Sequence, residues 1–170
     1  MSALDLETAT AVLTNEGAFL DARLWDAWLG MYTEDAVFWV PAWKTEDEPT
    51  ADPQTEVSLI YHDSRERLAE RVWRLKSGLS IASSPLHRTA HMVSGVRLLG
   101  DGKVGSTWTV HRYDPRAKAQ HVFFGRAEHR LAGRDGLWKI AAKTVWLMND
   151  QIPTVEATDL SPFAPFLFPS

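Results

Sequence analysis

The residues with the greatest chemical potential in this chain are its histidines. His87 and His91 stand in the segment HRTAH. On a helix, two histidines four apart share a face and can hold a metal. Thr89 onward reads instead as a strand, where four residues span ~13 Å at ~3.3 Å each. That is too far for two nitrogens that must each lie ~2.1 Å from one ion. No acid falls between them to complete an HExxH motif. A second combination is Asp35 with His91. Asp35 falls at a predicted helix-to-strand turn and His91 on a long strand, so a cupped sheet could bring them together around a cavity as a general acid–base pair. The signal is two residues without a supporting motif, and a turn hydrogen bond for Asp35 and an ordinary sheet position for His91 explain both.

The remaining polar residues point away from chemistry. His111, His121 and His129 lie on neighbouring predicted strands, where a solvated or interfacial role fits better than a ligand set. His62 precedes the third predicted helix and is expected to be exposed. Arg88, Arg97, Arg112, Arg126 and Arg130, with Glu128, can form cross-strand ion pairs, with an anion-binding role as the alternative. No Gly-rich phosphate loop, nucleophile elbow or dinucleotide fingerprint is present. The chain has no cysteine, which excludes disulfides, thiolate metal sites and cysteine-ligated clusters from it. The expectation is therefore no catalytic, cofactor-binding or metal-binding residue.

These side chains must be positioned by a chain of 170 residues, 45% hydrophobic and 24% charged, with net charge -4. That is one ordinary globular domain with a sizeable core, read as 1–170 with 156–170 as a C-terminal tail. Acids and bases are interspersed, and the most basic region, Arg65 to Lys76, is diluted by Glu66 and Glu70. Nucleic-acid binding is not expected. The opening MSALDLETATAV lacks the basic start and apolar core of a signal peptide. No apolar run approaches the ~20 residues of a membrane span. A cytoplasmic location is the expectation.

Apolar spacing predicts a first helix over Asp5–Leu20, with Leu6, Ala9, Leu13, Gly17 and Leu20 near one face. A second short helix carries Leu24, Trp28 and Met31 on one stripe. Thr33 to Asp35 forms an exit turn, and Ala36–Val40 reads as a strand ended by Pro41. Lys44–Thr55, KTEDEPTADPQT, is an acidic loop, and Glu56–Tyr61 a short strand. Asp63 with Glu66 starts a third helix with Leu68, Val72, Leu75 and Leu79 in phase. From Thr89 the period changes to two. Strands are predicted over Thr89–Leu99, Lys103–Tyr113, Gln120–Ala132 and Leu137–Met148, separated by short turns, with bulges allowed at Gly95, Gly105 and Gly125. Long strands with short connections make an antiparallel meander, so the class is α+β, a curved sheet wrapped around N-terminal helices.

Eight tryptophans in one such domain exceed what a single core needs, and Trp anchors interfaces. The count alone does not choose between a core rich in aromatics and a contact surface, and the C-terminal tail can dock on its own domain or on another chain. Trp25, Trp28, Trp43 and the Phe163–Phe168 segment are the candidate contacts with other chains.

Several segments together carry a specific resemblance. FLDARLWDAWLGMYTEDAVFWVPAW (Phe19–Trp43), DPQTEVSLIYHDSRERLAERVWRLKSG followed by PLHRTAHMVSGVRLL, and VWLMNDQIPTV occur in order from Phe19 to Val155. They resemble the small (beta) subunit of aromatic-ring-hydroxylating dioxygenases, and the acidic loop with SLIY is most similar to the benzoate and anthranilate type. The resemblance implies an NTF2-like (cystatin-like) cone. It implies an α3β3 terminal oxygenase in which a catalytic alpha subunit carries the Rieske [2Fe-2S] cluster, the mononuclear Fe(II) and the substrate pocket. Electrons would come from NAD(P)H through a separate reductase, sometimes with a ferredoxin, and the beta subunit would be mainly structural. Two departures stand out. Gly95 replaces an Asn of the family's SNV-type segment, and the tail beyond Thr154 is longer than the family's aromatic-ended exit. The alternatives from the residues alone are a stand-alone NTF2-like dehydratase or isomerase using Asp35 and His91, and a small-molecule binding module of the same fold.

Overall fold

The structure is a computed structural model and describes residues 3–77, 86–134 and 136–149. Helix α1 runs over Leu6–Asp21. Asp5 caps it, its carboxylate accepting the Thr8 N–H at 2.7 Å, which satisfies one of the orphan donors of the first turn. The face predicted from spacing is the buried one: Ala9, Leu13, Gly17 and Leu20, joined by Glu16. Helix α2 is a short turn, Trp25–Gly30. Helix α3 spans Arg65–Lys76 and starts from Ser64 rather than Asp63. The Ser64 hydroxyl accepts the Arg67 N–H at 3.4 Å, while Asp63 forms an i,i+4 ion pair with Arg67 at 3.1 Å. Leu79 lies outside the described residues.

Six strands follow: β1 Tyr32–Pro41, β2 Ser58–His62, β3 Arg88–Gly100, β4 Lys103–Asp114, β5 Ala119–Arg134 and β6 Leu137–Leu147. They form one sheet in the order β2-β1-β6-β5-β4-β3. The predicted four-strand meander is present, and β1 joins it by pairing parallel with β6. Strand β1 begins at Tyr32, so Thr33 to Asp35 belong to the strand and not to an exit turn. Tyr32, Ala36, Phe38 and Val40 are buried, so alternate side chains of β1 face the helices.

Of the three glycines expected to bulge, Gly95 does so. It has φ +60°, and the β3–β4 register shifts between Ser94 and Arg97. Gly105 and Gly125 lie in an unbroken β4–β5 ladder. The sheet's other irregularities among the described residues fall between Leu98 and Gly100, between Arg130 and Leu131, between Tyr32 and Val37, and between Val40 and Pro41. Helix α1 lies across β3 in the concavity. Gly17 makes this possible, because a Cβ there would sit 2.8 Å from the His91 Cβ. No helix among the described residues is long and apolar enough to cross a membrane.

The cone interior as candidate functional site

The concave face gathers charged groups that spacing alone did not single out. His129 on β5 and Lys143 on β6 are directly opposed across the ladder. Both alternate in phase with buried apolar residues, Ala127 and Leu131 on one strand and Val145 and Leu147 on the other. Their side chains therefore point into the cone. There they meet Glu16, the acid on the apolar face of α1. Lys143 Nζ donates to Glu16 Oε1 at 2.7 Å, and His129 Nε2 lies 3.0 Å from Glu16 Oε2. The Tyr32 hydroxyl donates to Oε1 as well. Tyr32 packs on Trp28, ring centroids 4.9 Å apart, and Lys143 Nζ sits 5.6 Å from the Phe38 ring centroid.

The electrostatics follow from this packing. Burial alone would raise the Glu16 carboxyl, but the Lys143 charge, then His129 and the hydrogen bonds from both, outweigh it and hold the acid far below its ordinary value. Burial is the largest effect on His129 and lowers its basicity despite Glu16. The imidazole is thus neutral at pH 7 and donates through Nε2–H, while its Nδ1 has no partner among the described residues. Burial, then the Glu16 charge, push the Tyr32 phenol well above its ordinary value. Glu16 is a fixed anion held by three donors.

The apolar cavity beside the cluster, with Leu13, Leu20, Trp28, Phe38 and Trp108 in its wall, is small. The volume open to the centre of a water molecule is about 50 Å³. An engineered cavity of roughly 150 Å³ is what admits benzene in another protein, so this space suits waters rather than an aromatic ligand.

The candidate residues named from sequence separate here. His91 pairs with Asp21, not with Asp35. Asp21 Oδ1 lies 2.5 Å from His91 Nδ1 and accepts the Thr89 hydroxyl at 2.9 Å, while Oδ2 accepts the His91 backbone N–H at 2.8 Å. Burial opposes ionisation of Asp21, but these bonds and the histidine outweigh it and keep the carboxyl low. The arrangement ties the C-terminal end of α1 to β3. Asp35 is out of phase with the buried residues of β1, is exposed, and accepts the Thr33 hydroxyl at 2.8 Å. A one-residue difference in strand phase puts it on the opposite face of the sheet from the cone interior.

His87 Nε2 stands 3.6 Å from Asp114, so the two histidines of HRTAH serve different acids. Among the described residues no three His, Asp or Glu side chains converge as a metal-ligand group. His62 is buried, not exposed, and His129 is at the centre of the core rather than solvated. Of the arginines, Arg88 lies over the Tyr113 ring and Arg126 over the Trp146 ring. Glu128 pairs with Lys103 at 3.9 Å in place of an arginine.

The tryptophans divide as well. Trp28 is fully buried in its own core, which removes it from the expected contact surface. Trp25 is half-buried against that core. Trp43 is half-buried and its indole N–H donates to Leu147 O at 2.7 Å. Trp73 on α3 is 60% exposed and was missed. The Phe163–Phe168 segment lies outside the described residues.

Helix α1 is thus set in a curved sheet, with the Glu16–His129–Lys143 cluster in the wall of the cavity between them. The model of the ring hydroxylating beta subunit family matches residues 15–154. The chain belongs to this family. As a beta-subunit relative it is 38% identical to the toluate 1,2-dioxygenase subunit beta of Pseudomonas putida over 154 residues, 89% of this chain and 95% of the relative. Among solved structures, it is similar to the beta subunit of the benzoate 1,2-dioxygenase from Burkholderia mallei. The TM-score is 0.75 and the identity 33%, covering 92% of this chain and 99% of that one. A protein of unknown function with a cystatin-like fold from Nostoc punctiforme matches at TM-score 0.57 and 10% identity, over 91% of this chain and 98% of that chain. That likeness shows the fold alone, and it agrees with the NTF2-like (cystatin-like) α+β cone.

Proposed function

We propose that this chain is the beta subunit of the terminal oxygenase of an aromatic-ring-hydroxylating dioxygenase whose substrate ring carries a carboxylate. In this reading it forms one domain over 1–170, with 156–170 as a tail, and contributes no catalytic, cofactor-binding or metal-binding residue. Its work is assembly, in the cytoplasm, with a catalytic alpha subunit as an α3β3 hexamer. The observation that carries the reading is the relationship, along nearly the whole chain, to small subunits of dioxygenases named for toluate and benzoate.

The donor set of the chain supports placing the iron elsewhere. A Rieske cluster is held by two cysteines and two histidines, and this sequence has no cysteine. A mononuclear iron site needs two histidines and a carboxylate on one face, and no such group forms among the described residues. The absent cysteines and the described residues offer neither donor set, which supports a reading in which the alpha subunit carries the Rieske [2Fe-2S] cluster and Fe(II). NAD(P)H then supplies electrons through a reductase, with a ferredoxin in some systems. The dehydratase or isomerase reading loses its acid–base pair, since Asp35 and His91 lie on opposite faces. The binding-module reading needs a larger cavity. Apolar side chains available for assembly are Trp73 on α3 and, on the outer sheet face, Met92 and Phe124. Each of the last two pairs with Thr109.

Co-expression of the chain with a Rieske-type alpha subunit encoded beside it, followed by native mass spectrometry, tests the proposal. A 3:3 complex that oxidises benzoate-type substrates in preference to unsubstituted hydrocarbons is expected. Failure of the two chains to associate under any condition counts against it.

A further inference from the structure

The cone's rim, where β4 and β5 approach their connecting turn, carries donors without acceptors. Arg112 is only 7% exposed, and its Nε is buried with no hydrogen-bond partner among the described residues. His121 is its direct cross-strand partner, and His121 Nε2 is likewise buried and unpartnered. Both side chains face the interior. Arg112 alternates in phase with the buried Val110 and Asp114, and the His121 ring lies 4.5 Å from that of the buried Phe123.

The acids of this rim are already engaged. Asp114 Oδ1 accepts the Arg116 and Ala117 N–H groups at 2.7 and 3.0 Å, and Oδ2 faces His87 at 3.6 Å. Asp21 is taken by His91 and Thr89. The other rim cations are also engaged: Arg23 donates to the Leu86 and His87 carbonyls, and Arg88 stacks on Tyr113. Arg112 alone among them has a buried Nε without a hydrogen-bonded acceptor among the described residues; its charge acts on Asp114, whose oxygens are bonded elsewhere. A buried guanidinium without an acceptor is costly. Its Nε–H and adjacent terminal N–H form a planar edge that matches the two oxygens of a carboxylate. The opposed imidazole adds a third donor. One cation and one neutral imidazole on adjacent strands match a single negative charge on a small planar group better than a phosphate dianion.

We propose that Arg112 and His121 form a carboxylate-binding site on the rim of the cone. The carboxylate comes either from a small free anion or from a side chain or chain end of a neighbouring subunit. The site does not depend on the assembly proposed above.

Thermal unfolding of the full-length chain in sodium formate, against sodium chloride at equal ionic strength, tests it. The same pair of salts is then applied to the chain in its complex with the alpha subunit. Formate is expected to raise the midpoint of the free chain by roughly 2–4 °C. The rise disappears in Arg112→Met and shrinks in His121→Phe, which keeps the reading testable if the arginine variant folds poorly. A formate response lost on assembly assigns the carboxylate to the partner, and one that persists assigns it to a free anion. No formate-specific rise in either state, or a rise of full size in both variants, overturns the proposal.

Discussion

His129 and Lys143 are cross-strand neighbours on β5 and β6 that grip the same carboxylate, Glu16 of α1, one on each oxygen. Helix and sheet are thereby locked at one point in the middle of the cone. Removing one member of a buried ion pair strands the other without compensation, at a cost of about 3–5 kcal/mol. Glu16→Ala is expected to lower the midpoint of thermal unfolding by roughly 10 °C or more. Glu16→Leu combined with Lys143→Met should recover much of the loss, because the stranded charge is gone. Calorimetry of the single and double variants checks this. Additive losses would show that the pair is not coupled.

The same cluster sets the acid limit of the fold. The folded His129 binds its proton less readily than the unfolded chain, so stability is complete above the unfolded value near 6.5 and falls as pH drops below it. Glu16 has a strongly depressed folded value, so its contribution is complete above about pH 5 and is lost progressively at lower pH. Unfolding midpoints followed from pH 7.5 to 4 should decline in two overlapping steps. His129→Gln should flatten the upper step, which begins as pH falls below about 6.5, and leave the lower one.

Gly17 is a point of close approach between α1 and β3. Alanine is the better helix former by roughly 1 kcal/mol, but its Cβ would meet His91 Cβ at 2.8 Å. Gly17→Ala is therefore expected to destabilise by about 1–3 kcal/mol through overpacking. Gly30→Ala meets nothing within 4 Å and should be neutral or slightly stabilising. Urea titrations of the two variants separate packing from propensity.

The tryptophans give a matched contrast. Trp28→Ala empties a fully buried site and is expected to cost about 3–5 kcal/mol. Trp73→Ala, at a 60% exposed position, should leave the unfolding free energy within about 0.5 kcal/mol. Its effect should appear instead in the dissociation constant of the oligomer, measured by analytical ultracentrifugation.

Element positions were legible because the period of apolar residues changes sharply at Thr89, and short turns with Gly or Pro mark each strand end. The parallel pairing of β1 with β6 was not, since nothing in a strand's own pattern names a partner distant in sequence. Glu16 could have been found. It sits beside Gly17 on the apolar face of α1, and His129 and Lys143 are likewise polar residues in phase with apolar ones. Three charges on buried phases must compensate one another, and that signal went unused. Asp35 failed as an acid–base candidate because the start of β1 was placed four residues late, which hid its phase. The Gly95 departure from the family's Asn has a local cause. At φ +60° the backbone is in the left-handed region that Gly enters freely and that Asn tolerates better than other residues.

In the proposed assembly this chain builds an oxygenase without performing its chemistry. The most direct measurement is product formation from benzoate-type substrates, with NADH and reductase present, by the purified chain alone, by the alpha subunit alone and by the two mixed. No turnover by the chain alone, restored or enhanced turnover on mixing, and a His91→Ala effect confined to the stability of the fold are expected. Turnover by the isolated chain that His91→Ala abolishes would contradict it.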